Sequence, residues 1–410
     1  MHDIELFAKL LELESPWRVT SVNPDFQSKE ITINLEWPRG NRVRCPFCEF
    51  EGGTYDHRRQ RVWRHLDTMQ FKTYLVADVP RIDCPEHGVH MIQTPWASDK
   101  SRFTVLFERM AIDVLRNATS QTQAMEILGL TWEEVHHIQE RAVIRGIARR
   151  NLCETRKIGV DEKSFLKGQD YVSVMYNLEK GCVIDLVRGR KESDAISLFS
   201  IIPESGRQCV KVVTMDMWKA YVNAAELSFP NADIVHDRYH ISAHLNKAVD
   251  SVRRSEMRDL KELEHNPLCG ARFVLLKDPE NWSLDEKRQF REVKGAGMKS
   301  SKAWSIRETF KSFWDYKYVG SATKFFKGWY WWATHSRLEP MRKAAHMLND
   351  RFDHIITYLE HRVTNAVAEG LNSKIQALKT NARGFRNLEN YRIAILFHCG
   401  GMDMYPGRGI

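Results

Sequence analysis

Between residues 16 and 95, apolar and polar positions alternate in short runs such as ITINLEW (31–37) and FKTYLVADV (71–79), separated by polar turns. A period of two is the signature of half-buried strands and hairpins. Near residue 100 the period changes. From Phe103 to Asn151 apolar residues recur at helical spacing. Ser120 followed by Gln123, and Thr131 followed by Glu134, have the spacing of a capping box. From residue 157 the strand pattern returns. KIGVDEKSF, YVSVMYNLEKGCVIDLV, CVKVVTMDMW and ADIVHD read as successive strands, with Glu179-Lys180-Gly181 as a hairpin turn and helices expected over 191–202 and 217–228. The order strand–strand–strand–helix–strand–helix–strand predicts a mixed sheet with covering helices. From about 240 to 360 the pattern is almost all helical and basic, with the aromatic run Trp329-Tyr330-Trp331-Trp332, and a final helix is expected from near Asn365 to about Thr380.

At 410 residues the chain exceeds one typical core, so two or three domains are expected. Lys and Arg outnumber Asp and Glu by 61 to 53, a net charge of +8 that suits a polyanionic partner and equally a merely basic surface. The first residues carry Asp3, Glu5, Glu12 and Glu14 without a cationic start, which argues against a signal peptide. No stretch approaches the roughly 18 apolar residues of a membrane span. Eight cysteines with one close pair do not make a disulfide framework, so a reducing, cytoplasmic setting is expected.

Cys45 and Cys48 stand two residues apart in RCPFCEF, and Cys84 and His87 have the same spacing in DCPEHG. Two such knuckles joined by a long hairpin can converge as four tetrahedral ligands for one structural zinc, a zinc ribbon. A lone pair of this spacing also occurs as a redox pair or as two buried thiols. The segment 56–65, expected at the tip of that hairpin, holds Arg58, Arg59, Arg61 and Arg64 around Trp63. Arginines there would clamp phosphates, or serve as a solvated edge kept charged against aggregation.

Over 121–143 a turn glycine, Gly129, and apolar Ala124, Leu128, Leu130, Val135 and Ile138 fall where a helix-turn-helix buries its two helices against each other; the alternative is a packing bundle without DNA contact. The exposed face of the second helix would carry Glu133, Glu134, His136, His137 and Gln139, with Arg141, Arg145, Arg149 and Arg150 restoring a basic face further along.

Asp161 and Asp216 each end an apolar run in a predicted strand. A carboxylate there is costly unless it is paired or binds a cation. Adjacent strands would set the two side by side, and converging carboxylates bind magnesium while leaving positions for water and phosphate. One strand-end Asp is ordinarily a cap; two in the same topological role point to a site. The third ligand should lie on a helix near these ends. Glu369 is the candidate, on a polar face with Asn365, Asn372, Ser373 and Gln376. Lys374, Lys379, Arg383 and Arg386 follow, with Arg362 before, as phosphate contacts would. Asp237, ending another strand with His240 beside it, competes as third ligand or adds a fourth.

With these motifs in hand, the chain resembles the bacterial insertion-sequence transposases of the ISL3 group, which have an aspartate–aspartate–glutamate core. The likeness rests on Cys45, Cys48, Cys84 and His87, the segment 121–143, IGVDEKSF, VTMDMWKAY, DRYH and NAVAEGLNSKIQALKTNARGFRN. It departs in one place, the second knuckle ending in His87 rather than cysteine. The resemblance implies an α+β multidomain chain: a zinc ribbon over 1–100, a helix-turn-helix over 101–152, and a ribonuclease-H-like mixed α/β core in two parts, 153–240 and 361–410, interrupted by an all-helical insertion over 241–360. It implies a transposase in which Asp161, Asp216 and Glu369 hold about two magnesium (or manganese) ions. Water would free a 3′ hydroxyl at the transposon end, and that hydroxyl would attack target DNA. The N-terminal modules would read the terminal inverted repeats of double-stranded DNA. A homodimer or higher oligomer on DNA in the bacterial nucleoid is expected. A nuclease of the same core without strand transfer, or an inactive DNA-binding regulator, are the alternatives.

Overall fold

The computed structural model describes residues 3–166, 170–260, 266–363 and 365–407, so the expected spans 241–360 and 361–410 each include residues outside the described set. The chain forms two compact units, residues 1–150 with 402–410, and residues 151–401.

The first unit opens with helix α1 (Asp3–Leu10) and then strands β1 (Arg18–Asp25), β2 (Glu30–Glu36), β3 (Val43–Arg44), β4 (Glu51–Gly52), β5 (Thr54–Thr68), β6 (Phe71–Cys84) and β7 (Gly88–Met91). Strands β1, β2, β6 and β5 lie in that order, β7 also pairs β6, and β3 pairs β4 separately. Alternation explains the assembly. Ile31, Ile33 and Leu35 of β2 and Leu75, Ala77 and Val79 of β6 are buried in one core with Trp17, Trp63 and Trp96, while their neighbours face outward. The β5–β6 hairpin turns at Met69 and Gln70, both left-handed (φ 51° and 66°). Segment 56–65 is therefore not a tip, as expected, but lies along β5 at the edge of the sheet. Helices α2 (Val105–Asn117), α3 (Gln121–Leu128) and α4 (Trp132–Arg149) follow. Gly129 ends α3 at φ 62°, and Thr131 and Glu134 form a reciprocal capping box at α4. Ala124, Leu128, Val135 and Ile138 are buried, as the helix-turn-helix pattern requires.

In the second unit β8 (Lys157–Ser164), β9 (Tyr171–Asn177), β10 (Cys182–Arg188), α5 (Glu192–Phe199), α6 (Glu204–Arg207), β11 (Val212–Met215), α7 (Lys219–Ser228) and β12 (Asp233–His236) build a sheet in the order β10-β9-β8-β11-β12. The first three strands are antiparallel neighbours; β11 runs parallel to both β8 and β12. Every residue of β11 is buried, the continuous apolar run of a strand covered on both faces. Helices α8 (Arg238–Asp259), α9 (Arg272–Leu276), α10 (Leu284–Gly295), α11 (Lys299–Lys311), α12 (Val319–Thr334), α13 (Glu339–Asn349) and α14 (Phe352–His361) form a helical region with its own aromatic core. Trp329 of the aromatic run is buried there and donates its indole N–H to the Ile306 carbonyl at 2.8 Å. The start of α11 has no side-chain cap of its own. Glu256, buried on α8, supplies one, accepting from the N–H groups of Lys299 and Ser300 and the Ser300 hydroxyl at 2.6–2.8 Å.

The glutamate-bearing helix is α15 (Ala366–Asn381), and it is not the last. Helix α16 (Leu388–Cys399) follows, capped by Asn387 and fixed to β10 by the Arg392–Asp185 pair, with N–O distances of 2.6 and 2.8 Å.

Candidate functional site

Strand register settles how the two aspartates relate. Lys157, Ile158 and Gly159 of β8 pair with Val212, Val213 and Thr214 of parallel β11. Continuing that register sets Asp161 level with Asp216, on strands roughly 4.8 Å apart and on the same face. Both side chains are half-buried, and each spends one oxygen on the next residue's N–H: Glu162 to Asp161 at 2.8 Å, Met217 to Asp216 at 2.5 Å. The second Asp161 oxygen, Oδ2, accepts from the Asn372 amide at 2.7 Å and lies 3.3 Å from the Lys163 ammonium.

Around these ends the chain closes a loop of polar contacts. His240, on the first turn of α8, has Nδ1 3.4 Å from Asp216 and Nε2 3.9 Å from Asp237. Asp237 caps α8, accepting from Tyr239 N–H at 3.0 Å, and its other oxygen accepts from Asn365 Nδ2 at 3.2 Å. Asn365 stands at the N-cap of the Glu369 helix, one turn before the glutamate, and Asn372 lies on it one turn after. The helix is thus tied at one end to Asp237 and at the other to Asp161, with Glu369 between. Glu369 is exposed, and its carboxylate has no hydrogen-bond donor among the described residues. It lines a cleft of about 210 Å³ with Thr214, His236, Asp237, Tyr239 and Asn365. The carboxylates of Asp161, Asp216 and Glu369 do not all come within 4.8 Å of one another; among the described residues that closeness is reached by Asp233, Glu360 and His361, and by the cysteine–histidine group.

The polar face read around Glu369 carries this arrangement, but the partners on the sheet side, Tyr176, Thr214 and Lys163, were not singled out in the sequence. Tyr176 reads there as one more apolar strand position. Burial, and then the Asp161 charge, push its phenol well above the ordinary range, so it remains a donor. His236 has neither ring nitrogen hydrogen-bonded among the described residues, and burial pushes it down to about 3.

In the first unit the cysteine–histidine motif closes on itself. Cys45 Sγ lies 3.8 Å from His87 Nδ1, Cys84 Sγ 3.6 Å from the same nitrogen, and Cys48 Sγ 3.6 Å from Cys84 Sγ. These are the edges of a tetrahedron around an ion bound at about 2.3 Å to sulfur and about 2.0 Å to nitrogen. Burial pushes the Cys45 and Cys84 thiols up. Hydrogen bonds from the N–H groups of Phe47 and Cys48 to the first, and of His87 and Glu86 to the second, outweigh it, and both end below the usual thiol range. The donor set fits zinc.

The expected DNA contacts divide. Arg58, Arg59 and His137 are exposed, as are Lys374, Arg383 and Arg386; His136 is half-buried, stacked on Trp132. Lys379 reaches the Ser164 carbonyl at 2.7 Å, and Arg61 lies over the Trp63 ring. Others are occupied inside the fold. Arg64 is buried over the rings of Phe107 and Tyr74 and paired with Asp67, and Gln139 is buried. Arg141 and Arg145 bind Glu108, a carboxylate only 1% exposed, at 3.0 and 2.6 Å. Arg149 holds Asp403 and the Tyr405 carbonyl. Arg141 and Arg145 of the basic face expected on α4 are thus turned inward, because a buried carboxylate demands counter-charge, while Arg149 stays exposed. Arg362 donates to the Trp314 and Tyr316 carbonyls.

Beside Arg64, His65 bonds to Thr104 through Nδ1 at 2.9 Å, and burial, then the Arg64 charge, push it down to about 4 from its ordinary 6.5. The unfolded chain binds this proton below pH 6.5 and the folded chain does not. Stability present above 6.5 is lost as pH falls toward 4, by about 3 kcal/mol in all. Urea unfolding of the wild type between pH 7 and 4.5 should show that slope, and His65→Gln should remove its share and leave that of the likewise depressed His236.

A family profile described as "Transposase" matches residues 158–395, more than half of the chain. One described as the zinc-finger of transposase IS204/IS1001/IS1096/IS1165 matches 41–87, and one described as the helix-turn-helix domain of transposase family ISL3 matches 92–143. The transposase for insertion sequence element IS1001 of Bordetella parapertussis is 22% identical over 395 residues, which is 94% of this chain and 97% of its own. The transposase for insertion sequence element IS1557 of Mycobacterium tuberculosis (strain H37Rv) is 24% identical over 440 residues, covering 100% of this chain and 98% of its own. A solved structure, a simian T-cell lymphotropic virus intasome in complex with PP2A regulatory subunit B56 gamma, aligns with 40% of this chain and 64% of its own at 16% identity, with a TM-score of 0.18. A likeness that slight carries no argument.

Proposed function

The chain belongs to the ISL3 family of transposases, and from that premise we propose that it cuts and joins DNA at a carboxylate site formed by Asp161, Asp216 and Glu369. It is a DNA transposase, with zinc-ribbon and helix-turn-helix regions. The observation that carries the finer reading is the level placement of Asp161 and Asp216 on neighbouring parallel strands, with the Glu369 helix tied to Asp161 through Asn372. The strand order β10-β9-β8-β11-β12, three antiparallel strands and then two parallel ones, supports a ribonuclease-H-like core over 153–240 and 361–410 with a helical insertion over 241–360.

Asp161, Asp216 and Glu369 would hold about two magnesium or manganese ions. When bound, such ions polarise the scissile phosphate and make water or a 3′ hydroxyl a better nucleophile. Asp237 follows β12, one strand further from Asp161 than Asp216 is, and caps α8, which favours a supporting role over direct ligation. His240, between Asp216 and Asp237, would hold the second aspartate in place. Lys374 on the Glu369 helix and Arg383 and Arg386 just past its end are exposed, which suits phosphate contact. The zinc ribbon and helix-turn-helix would read the terminal inverted repeats, with one zinc held by Cys45, Cys48, Cys84 and His87. The reaction is then two phosphoryl transfers, first to water at the transposon end and next from the freed 3′ hydroxyl into target DNA. Acting on two ends calls for at least a dimer, working in the cytoplasm at the nucleoid.

The test is an assay with full-length protein, DNA carrying the element's ends, and magnesium or manganese. The expected result is nicked ends that become covalently joined to target DNA. Nicking without joined product would support a nuclease instead, and DNA binding without nicking would support an inactive regulator.

A further inference from the structure

Two relays of the same design flank Glu369. In the first, the buried Tyr176 hydroxyl donates to Asn372 Oδ1 at 2.5 Å, and Asn372 Nδ2 donates to Asp161 Oδ2 at 2.7 Å. In the second, the buried Thr214 hydroxyl donates to Asn365 Oδ1 at 3.1 Å, and Asn365 Nδ2 donates to Asp237 Oδ2 at 3.2 Å. The hydroxyl fixes which end of each amide faces the carboxylate. An amide oxygen that accepts from a hydroxyl leaves its nitrogen aimed at the aspartate, a choice an isolated asparagine would not have made for it. Neither hydroxyl is placed by chance, since Tyr176 lies on β9 and Thr214 on β11, both 2% exposed or less.

We propose that Asn372 and Asn365 are positioning residues for the carboxylate site: through Tyr176 and Thr214 they lock the orientation of Asp161 and Asp237, and with the same bonds set the helix of Glu369. The proposal rests on the reading of Asp161, Asp216 and Glu369 as the metal-binding carboxylates. Its physical content is coupling. A ligand helix joined only by apolar packing could slide or roll by a fraction of a turn and still bury Leu371 and Ile375. Amide bonds one turn either side of the glutamate remove that freedom, so the glutamate and Asp161 reach an incoming cation as one preset unit. Both relays are neutral at the amide, so Asn372 adds no charge to that of Lys163, already 3.3 Å from Asp161 Oδ2; a lysine in place of Asn372 would set a second ammonium against an incoming cation.

Outer groups that orient metal ligands are worth about 10- to 100-fold in metal affinity or activity. The experiment compares full-length wild type, Asn372→Ala, Tyr176→Phe and the double variant in two ways. Free Mn2+ is followed by electron paramagnetic resonance during titration, and strand cleavage is measured against manganese concentration. Asn372→Ala should weaken Mn2+ binding about tenfold and raise the half-saturating manganese concentration in step. Tyr176→Phe should shift both the same way but less. The double variant should match Asn372→Ala alone, because the tyrosine acts only through the asparagine. Unchanged Mn2+ binding in Asn372→Ala overturns the proposal, and so do losses in the two single variants that multiply in the double. Should Asn372→Ala melt at a much lower temperature than wild type, Tyr176→Phe, which keeps the ring, decides alone by its manganese shift. Asp161→Asn and Glu369→Gln run alongside. If both still bind Mn2+ and cleave, the carboxylate reading itself fails; if both are dead and Asn372→Ala is normal, the relays alone fail.

Discussion

Asp161→Asn, Asp216→Asn and Glu369→Gln should each abolish strand cleavage, a loss of about a thousandfold or more, while leaving the fold and DNA binding in place. Losses of that order accompany removal of a group that acts only in the transition state. The amide replacements keep size and hydrogen-bond acceptance but remove the charge that binds a divalent cation. Folding is spared because both aspartates are half-buried, Asp161 within β8 and Asp216 just past β11, and Glu369 is exposed. The N–H groups of Glu162 and Met217 can still donate to an amide oxygen. The comparison that discriminates is Asp237→Asn. Its carboxylate already serves Tyr239 N–H and Asn365 Nδ2, so the variant should lose about tenfold, the scale of a supporting group. A dead Asp237→Asn beside an active Glu369→Gln would exchange their roles. Gel assays of cleavage in magnesium and in manganese, with circular dichroism of each variant, are sufficient.

Why the sequence led to Asp161 and Asp216 is plain in physical terms. A charge at the end of an apolar strand is expensive, so it stands out, and parallel register does the rest. Glu369 was visible for a different reason: the helical period gathers Asn365, Glu369 and Asn372 on one face, and those two asparagines do meet the sheet. What they meet was hidden. Tyr176 and Thr214 sit inside buried strands, where an apolar run shows nothing about the polar atom at its edge.

The misplacements have equally local causes. Alternation marks β5 and β6 but not where they turn, and Met69-Gln70 lacks the glycine, asparagine or aspartate that advertises a tight hairpin. The basic face expected on α4 failed because a helical wheel cannot register Glu108 on another helix. That single buried carboxylate draws Arg141 and Arg145 inward. Helix α16 was passed over although Asn387 announces it. Its apolar residues, Tyr391, Ile393, Ile395, Leu396 and Phe397, wrap most of the helix instead of forming a stripe, which is the mark of a helix packed on several sides.

Removing zinc should unfold the ribbon, and the reason lies in how little else holds it. Strands β3 and β4 are two residues long and pair only with each other, far short of what stands alone in water. Cys45 follows β3 and Cys84 ends β6, so one ion would join the small ribbon to the main sheet. Cys45 and Cys84 are buried in the same core as Val43 and Ile82, so the ion would be anchored directly to that core. Binding of a structural zinc is worth roughly 10–16 kcal/mol in small metal-dependent domains, comparable to the whole stability of a typical fold. Purified protein should therefore carry about one zinc per chain by elemental analysis. Chelation, or Cys84→Ser, should strip hydrogen-exchange protection from residues 43–52 and 84–91 while β8 to β12, in the other compact unit, keep theirs. Loss of protection in both units together would mean that the ribbon and the sheet of Asp161 fold as one, and protection of 43–52 in zinc-free protein would leave the four ligands as an apolar cluster with no metal to hold.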